Sequence, residues 1–205
     1  TVGATPYQVA LADLNGDGKL DMVVDNYGAS TVSVLLGLGT GSFSAKTDYP
    51  LTAGCNPFGL SLGDINGDNK VDIITGNING SSVSVLPGTG TGTFGSVTDY
   101  AAGGNIHSTA LVDANGDGKL DIAAVNYTSN AVTILLGAPG GLGFGAKTDF
   151  ATGNNPYFVA TGDFNGDGKL DLAVTNYFAS TVSVLLGNGS GGFGAKTDFA
   201  TAGFP

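Results

Sequence analysis

The 205-residue chain carries 17 acidic and 7 basic side chains, has a formal net charge of −10, and is 41% hydrophobic. Every acid is Asp and every base is Lys, and no stretch approaches the roughly 18–20 apolar residues that a membrane span needs. Because no basic cluster is available to neutralise phosphates, nucleic acid is excluded as a partner. One His, one Cys and no Glu leave few groups for acid–base or nucleophilic catalysis, so we expect no enzyme activity.

The first elements along the chain are four short segments that alternate with turns. They are PYQVALA (6–12), LDMVVDNY (20–27), TVSVLLG (31–37) and SFSAKTDY (42–49). Val, Ile, Thr and aromatic residues are typical of strands, and the Gly, Asn, Asp and Ser residues between them are typical of turns. None of the segments has an apolar period of 3.6 over ten or more residues, so no long helix is expected. The pattern predicts four strands.

The same four segments recur three more times in the same order. An acidic loop separates the first two segments of each repeat, and its four versions are DLNGDGKLD (13–21), DINGDNKVD (64–72), DANGDGKLD (113–121) and DFNGDGKLD (163–171). The loops begin 51, 49 and 50 residues apart. Four strands in a unit of about 50 residues is the size of one β-propeller blade.

The sequence therefore predicts an all-β fold, a β-propeller-type array of four four-stranded blades in a single domain. The blades cover residues of about 6–56, 57–105, 106–155 and 156–205. The second and third segments are apolar on both faces, and one sheet cannot bury both faces alone, so the repeats must stack. The chain begins and ends between repeats, which leaves three arrangements open: a closed ring of four blades, a piece of a longer array, or a homodimer that completes an eight-blade ring.

The polar side chains of the first loop have the spacing of a site for a hard cation. Asp13, Asn15 and Asp17 occupy loop positions 1, 3 and 5, Lys19 occupies position 7, and Asp21 occupies position 9. In a tight curl the first three side chains converge, the backbone carbonyl of position 7 joins them, and position 9 returns a carboxylate. An all-oxygen set favours Ca²⁺ over Mg²⁺, whereas Zn²⁺ would require Cys or His. Up to four Ca²⁺ ions, one per repeat, would offset eight of the ten net negative charges.

Two other types of calcium loop do not match this pattern. An EF-hand needs a bidentate Glu at position 12, where the four loops have Val24, Thr75, Ala124 and Val174. Paired dockerin-type loops are excluded because successive loops are about 50 residues apart. The apolar residue at loop position 8 is predicted to anchor each loop in the core; these residues are Leu20, Val71, Leu120 and Leu170.

A second motif, Phe-Gly, follows in three repeats as FGS (94–96), FGA (144–146) and FGA (193–195). A D-x-N-G-D-G-x-x-D loop between two strands with this element downstream resembles the FG-GAP/VCBS repeats of integrin-α-like β-propellers. The resemblance covers essentially the whole chain, although the first repeat has Phe43-Ser44 and no repeat has the full Gly-Ala-Pro. It implies a calcium loop between the first two strands of each blade, ligated through side chains 1, 3, 5 and 9 and carbonyl 7. The implied ligands are Asp13, Asn15, Asp17, Lys19, Asp21, Asp64, Asn66, Asp68, Lys70, Asp72, Asp113, Asn115, Asp117, Lys119, Asp121, Asp163, Asn165, Asp167, Lys169 and Asp171.

The second strand of each repeat ends in Asn, followed in three repeats by Tyr. These residues either cap strands and fill grooves between blades, or present an amide beside a ring as a sugar-binding pair. Asp25, the one Asp outside the repeat pattern, lies beside this row. The candidate ligand-binding residues are Asp25, Asn26, Tyr27, Asn126, Tyr127, Asn176 and Tyr177.

Three further features have structural interpretations. His107 stands where the other repeats have Tyr7, Phe58 and Tyr157, so we predict that it packs as a ring. Cys55 is alone and can form no internal disulfide, so we predict a small, inert residue. The Asp residues of the TD[YF] motif are predicted to form hydrogen bonds at strand ends; they are Asp48, Asp99, Asp149 and Asp198.

Taken with the absence of Arg and the abundance of Gly, Ser, Thr and Asn, calcium loops predict an extracellular or cell-surface protein, since moderate-affinity loops stay filled at extracellular calcium levels. We expect a non-catalytic module for adhesion or recognition, with a glycan or a protein as ligand. The alternative is a structural or accessory scaffold domain of a larger secreted protein or enzyme.

Overall fold

The computed structural model of the chain describes residues 1–138, 141–203 and 205. These residues form four antiparallel four-stranded sheets without helices, which confirms the all-β prediction. We name the sheets blades 1 to 4 in chain order, and within each blade the strands are hydrogen-bonded in chain order.

Blade 1 contains β1 (Pro6–Ala12), β2 (Asp21–Asn26), β3 (Thr31–Leu35) and β4 (Thr47–Pro50). Blade 2 contains β5 (Pro57–Gly63), β6 (Asp72–Asn77), β7 (Ser82–Leu86) and β8 (Thr98–Ala101). Blade 3 contains β9 (Ile106–Val112), β10 (Asp121–Asn126), β11 (Ala131–Leu135) and β12 (Thr148–Ala151). Blade 4 contains β13 (Pro156–Gly162), β14 (Asp171–Asn176), β15 (Thr181–Leu185) and β16 (Thr197–Ala200). In the described ranges no helix has the length and hydropathy that would let it cross a membrane.

The blades stack face to face, and their first strands lie along a common axis. Strand β1 packs against β5, β5 against β9, and β9 against β13. Three apolar clusters fill the junctions between successive blades. In blade 2, which has a neighbour on each side, every residue of β6 and β7 is buried. Stacking therefore covers both faces of the sheet, as the apolar pattern of these segments requires.

The four blades do not close into a ring. Of the three arrangements that the sequence leaves open, a closed ring of four blades is therefore not the one observed. Val9 in blade 1 is 55% exposed, whereas Leu60 and Val159, at the same repeat position, are 4% and 3% exposed. The predicted anchoring role is wrong for Leu20, which is exposed, because no other blade of the described residues covers that side of blade 1. Its counterparts Val71 and Leu120 are partly buried in the junction clusters.

The same aromatic contact joins each pair of successive blades. A ring from the fourth strand of one blade forms an edge-to-face pair with the Phe-Gly phenylalanine of the next. The centroid distances are 5.4 Å for Tyr49–Phe94, 4.7 Å for Tyr100–Phe144 and 5.3 Å for Phe150–Phe193. Edge-to-face pairs of this kind add to the stability gained from burial. The Phe-Gly motif is thus one half of a junction between blades.

A polar network runs across the second, third and fourth strands inside each blade. In blade 2, Asn77 Nδ2 donates to Ser84 Oγ at 2.7 Å, and Ser84 Oγ donates to Asp99 Oδ1 at 2.5 Å. Blades 1 and 4 repeat the network with equivalent residues. In blade 3 a threonine, Thr133, donates to Asp149 at 2.7 Å. These bonds account for the Asp of the TD[YF] motif.

We predict that Ser84→Ala destabilises the protein, because it leaves the buried amide of Asn77 short of an acceptor. The expected loss is about 1–3 kcal/mol in the free energy of unfolding, measured by urea denaturation. Ser129→Ala, at an exposed position in a turn, is the control and should change stability by less than about 0.5 kcal/mol. Equal effects of the two substitutions would contradict a stabilising role for the network.

Candidate functional site

Each acidic loop is held in a tight curl by the carboxylate at its first position. Asp13 Oδ1 accepts the amide of Gly16 and Oδ2 accepts the amide of Gly18, both at 2.8 Å. The other three loops contain the same pair of bonds. Gly18 has a φ of +78°, and its counterpart Asn69 has a φ of +61°, the left-handed region that Gly and Asn tolerate best. The amide of Gly18 lowers the pKa of Asp13 below its usual value.

The ninth loop residue connects the loop to the turn that follows the third strand. Asp21 is fully buried, its Oδ2 accepts the amide of Leu14 at 2.9 Å, and its Oδ1 accepts the amide of Gly37 at 2.7 Å. The equivalent Asp residues in the other blades make the same two bonds. Burial raises the pKa of two of them, Asp72 and Asp121.

The loops have the oxygen-rich composition that suits Ca²⁺, but the structure does not gather their carboxylates into one cage. Over residues 1–138, 141–203 and 205, no group of three His, Cys or acidic side chains is placed to hold a metal ion. Both oxygens of Asp21 accept backbone amides, and Lys19 Nζ lies 3.1 Å from Asp17 Oδ2. Calcium binding by the predicted ligands therefore stays a prediction.

A cluster of aromatic rings occupies one end of the axis between the blades. The starts of the first strands and the ends of the second strands lie side by side there, as the pairing of Pro6 with Asn26 illustrates. Tyr7 stacks on Phe58 with ring centroids 3.6 Å apart, and the hydroxyls of Tyr7 and Tyr157 are 2.7 Å apart. We name this set the axial aromatic cluster, and its members are Tyr7, Tyr27, Phe58, His107, Tyr127, Tyr157 and Tyr177.

His107 takes part in this cluster as a neutral ring. It stacks on Tyr127 with centroids 4.3 Å apart and planes 8° apart, and its ring lies 4.9 Å from that of Phe58. Burial lowers its pKa to about 4, so the ring carries no charge at neutral pH. This agrees with the packing role predicted from the sequence. Burial likewise raises the pKa of the Cys55 thiol to about 11, which keeps it unreactive.

The asparagines that were candidates for ligand binding face the interior of their blades. Asn26 and Asn176 are fully buried, and Asn26 Nδ2 donates to the Ser33 hydroxyl at 2.8 Å. Asn126 is also buried, and its Nδ2 donates to the carbonyl of Gly103. Their amide donors are used within the protein, which favours the strand-capping interpretation. Of the Asn-Tyr row, only the tyrosines reach the surface.

Asp25 is also buried rather than presented to a ligand. Its Oδ1 accepts the amide of Gln8 at 2.5 Å, where the pairing of β1 with β2 is irregular between Pro6 and Val9. Its Oδ2 is buried and has no hydrogen-bond partner, and burial raises the pKa of this carboxyl to about 6. In blade 4 the hydroxyl of Thr175 holds the equivalent amide at 3.2 Å. Asp25 therefore caps a β-bulge.

The sequence patterns assign no binding site to Tyr7, Phe58 or Tyr157. A signal for them was present, because all four repeats have a ring at this position, two residues into the first strand. What the repeat pattern could not convey is that the four first strands converge and bring these rings into contact.

The repeats match known family models over most of the chain. An FG-GAP-like repeat model matches residues 13–75, 64–124 and 113–174, and an FG-GAP repeat model matches residues 155–195. The chain belongs to the FG-GAP repeat family. Repeats of this family are typical of extracellular proteins. No curated protein matches the sequence of this FG-GAP chain.

Solved structures share its fold at low sequence identity. A lectin from Agrocybe aegerita, which recognises non-reducing terminal N-acetylglucosamine, superposes with a TM-score of 0.66 at 22% identity over 94% of this chain and 52% of its own. A protein of unknown function from Desulfotomaculum acetoxidans superposes with a TM-score of 0.71 at 14% identity over 100% of this chain and 59% of its own. The FG-GAP chain thus spans between half and two thirds of the length of these structures.

We predict that Asp25→Thr stabilises the protein more at pH 7 than at pH 4. The pKa of Asp25 is about 6 in the folded state and 3.8 ordinarily, so this carboxyl costs no stability below pH 3.8. As the pH rises through 3.8 to 6, ionisation favours the unfolded state by up to about 3 kcal/mol. Thr, the residue at this position in blade 4, avoids that loss.

The measurement is the difference in free energy of unfolding between the variant and the parent chain at several pH values. Asp25→Asn, which is uncharged but similar in shape, serves as the matched comparison and should show the same pH dependence. A difference that stays constant from pH 4 to pH 7 would show that folding does not raise the pKa of Asp25.

Proposed function

We propose that this FG-GAP chain is a non-catalytic, extracellular recognition module that binds glycans at its axial aromatic cluster. The observation that carries the proposal is the exposure of tyrosine rings at the end of the blade axis, where Tyr7 is 51% and Tyr177 is 36% exposed. Tyrosine offers an apolar face to the C–H groups of a sugar and a hydroxyl for its polar edge. Strands from all four blades hold these rings, so the surface is organised before a ligand arrives.

Comparison with the lectin supports the proposal through the shared fold. The recognition of non-reducing terminal N-acetylglucosamine is a property of that lectin. An extracellular or cell-surface location fits both a glycan ligand and the usual setting of FG-GAP repeats.

A scaffold role in a larger secreted protein or enzyme is the second candidate. The rings of the axial cluster pack closely on one another, as in the Tyr7–Phe58 and His107–Tyr127 stacks. Such packing would stabilise the blade array even without a ligand.

A glycan array separates the two candidates. We predict that the chain binds at least one class of glycan, and that Tyr7→Ala weakens binding by about tenfold through loss of one ring contact. Tyr7→Phe keeps the ring and should retain most of the affinity. Leu38→Ala, at an exposed position elsewhere in blade 1, is the control. Absence of binding to any glycan would favour the scaffold role, and equal binding by Tyr7→Ala would place the site elsewhere.

We also propose that the four acidic loops bind Ca²⁺ through the ligands predicted from the sequence. Their support is the donor chemistry, since each loop offers carboxylate, amide and carbonyl oxygens, and the net charge of −10, which cations would offset. In this proposal Ca²⁺ stabilises the loops and takes no part in catalysis.

Calorimetric titration of Ca²⁺ into EDTA-treated protein tests the loops. We predict up to four ions per chain and a melting temperature that rises with the Ca²⁺ concentration by mass action. Asp117→Ser, in the third loop, should lower the stoichiometry by one ion, while Asp149→Ser, outside the loops, should leave it unchanged. A melting temperature insensitive to both EDTA and Ca²⁺ would contradict the proposal.

Self-association is the remaining part of the proposal. A homodimer that completes an eight-blade ring would cover the apolar side chains that blades 1 and 4 expose.

A further inference from the structure

The three junctions inside the chain use one recurring set of contacts. The leading face of a blade is the face toward the preceding blade, and the trailing face is the face toward the following blade. At the junction of blades 1 and 2, one apolar cluster joins side chains of both; they include Leu14, Leu36 and Tyr49 from the trailing face and Leu62, Val71 and Phe94 from the leading face. The amide of Gly92 also donates to the carbonyl of Leu14 at 3.0 Å. The junction of blades 3 and 4 repeats this bond between Gly191 and Ala114 at 3.0 Å.

Blade 4 exposes the trailing half of this set. Phe164 is 50% exposed, although its counterparts in the other blades are each 4% exposed; they are Leu14, Ile65 and Ala114. Leu186 and Phe199, the counterparts of Leu36 and Tyr49, are also exposed. A repeat that ends an array in water normally has a polar outer face. The trailing face of blade 4 is instead apolar at all three positions, and Phe164 is larger than each of its covered counterparts.

Blade 1 exposes the leading half as a groove. The groove has a volume of about 530 Å³, and its lining includes Leu11, Leu20, Gly41 and Phe43. These residues occupy the repeat positions of Leu62, Val71, Gly92 and Phe94, which are the leading side of the junction between blades 1 and 2. Leu11 and Leu20 are exposed because nothing within the described chain covers them.

We propose that the trailing face of blade 4 in one copy packs into the leading groove of blade 1 in a second copy. The two faces are the halves of the junction that the chain already forms three times, so no new type of contact is needed. The chain does not use its own blade 1 for this purpose, since both faces stay exposed in one molecule. This inference rests on the proposed self-association, and its argument uses no property of the glycan site.

Residues at matching repeat positions make matching contacts, and this rule assigns the contacts between the two copies. Phe199 forms an edge-to-face pair with Phe43 of the other copy, as Tyr49 does with Phe94 inside the chain. The amide of Gly41 donates to the carbonyl of Phe164, as Gly92 donates to Leu14. Because one face differs from the other, the contact is head-to-tail, and it closes into a ring when both open ends are used.

Sedimentation equilibrium at micromolar concentrations, combined with two variants, tests the proposal. The parent chain is expected at a multiple of its 20.2 kDa mass. Leu11→Asp blocks the groove and Phe199→Asp blocks the trailing face, so each variant alone is expected at 20.2 kDa. An equimolar mixture should restore a complex of one copy of each, because each variant keeps the half that the other has lost. Leu38→Asp, exposed in blade 1 but outside the groove, should behave as the parent chain.

Circular dichroism of each variant checks that it is folded, and Leu11→Ser with Phe199→Ser repeats the experiment with uncharged side chains. A parent chain that is monomeric overturns the inference, as does a parent oligomer that survives both substitutions or a mixture that forms no complex. Glycan binding measured on the monomeric variants separates failure of this inference from failure of the proposed function.

Discussion

A β-sheet with apolar side chains on both faces is stable in water only when both faces are covered, and every other feature of this FG-GAP chain depends on that requirement. Blade 2 satisfies it completely, since β6 and β7 are buried between two neighbours. Blades 1 and 4 satisfy it on one face each. The hydrophobic effect acts mainly between blades. The stability of the array therefore depends on the junctions between blades more than on any single blade.

Polar contacts have a complementary role, because most of them act within a blade. The buried Asp at the ninth loop position joins the loop to the turn after the third strand. The Asn–Ser–Asp network joins the second, third and fourth strands. The networks satisfy the amide and hydroxyl donors that stacking has removed from water, while Asn26 Oδ1 and Asn176 Oδ1 are buried without a hydrogen-bond partner. Polar bonds thus fix the shape of a blade, and apolar contacts fix its place in the array.

The strands and their grouping into four blades could be predicted from the sequence, because a period near 50 residues and short apolar segments are local signals. The choice between the two interpretations of Asn26 could not be made from the sequence, because it depends on the antiparallel register that places Asn26 opposite Thr31 and within hydrogen-bond distance of Ser33. The exposure of Leu20 could not be predicted either. Equivalent positions in similar repeats predict equal burial, and only the place of blade 1 in the stack leaves Leu20 exposed. Calcium binding by the loops stays a prediction from residue type and spacing, because the distances between the carboxylates are set by the three-dimensional curl of each loop.

Strand β1 links the two proposals made for this chain. Val9 and Leu11 alternate along β1 and lie on the same face, whereas Tyr7 lies within the β-bulge at the start of the strand; all three side chains are more than half exposed. Inside the chain, Tyr7 stacks on Phe58 of the next blade. By the same repeat equivalence, a second copy on the leading face of blade 1 would bring the ring of its own Tyr157 toward Tyr7. Assembly would then change the axial aromatic cluster, and by thermodynamic linkage a ligand that prefers either arrangement would shift the assembly equilibrium by the same factor.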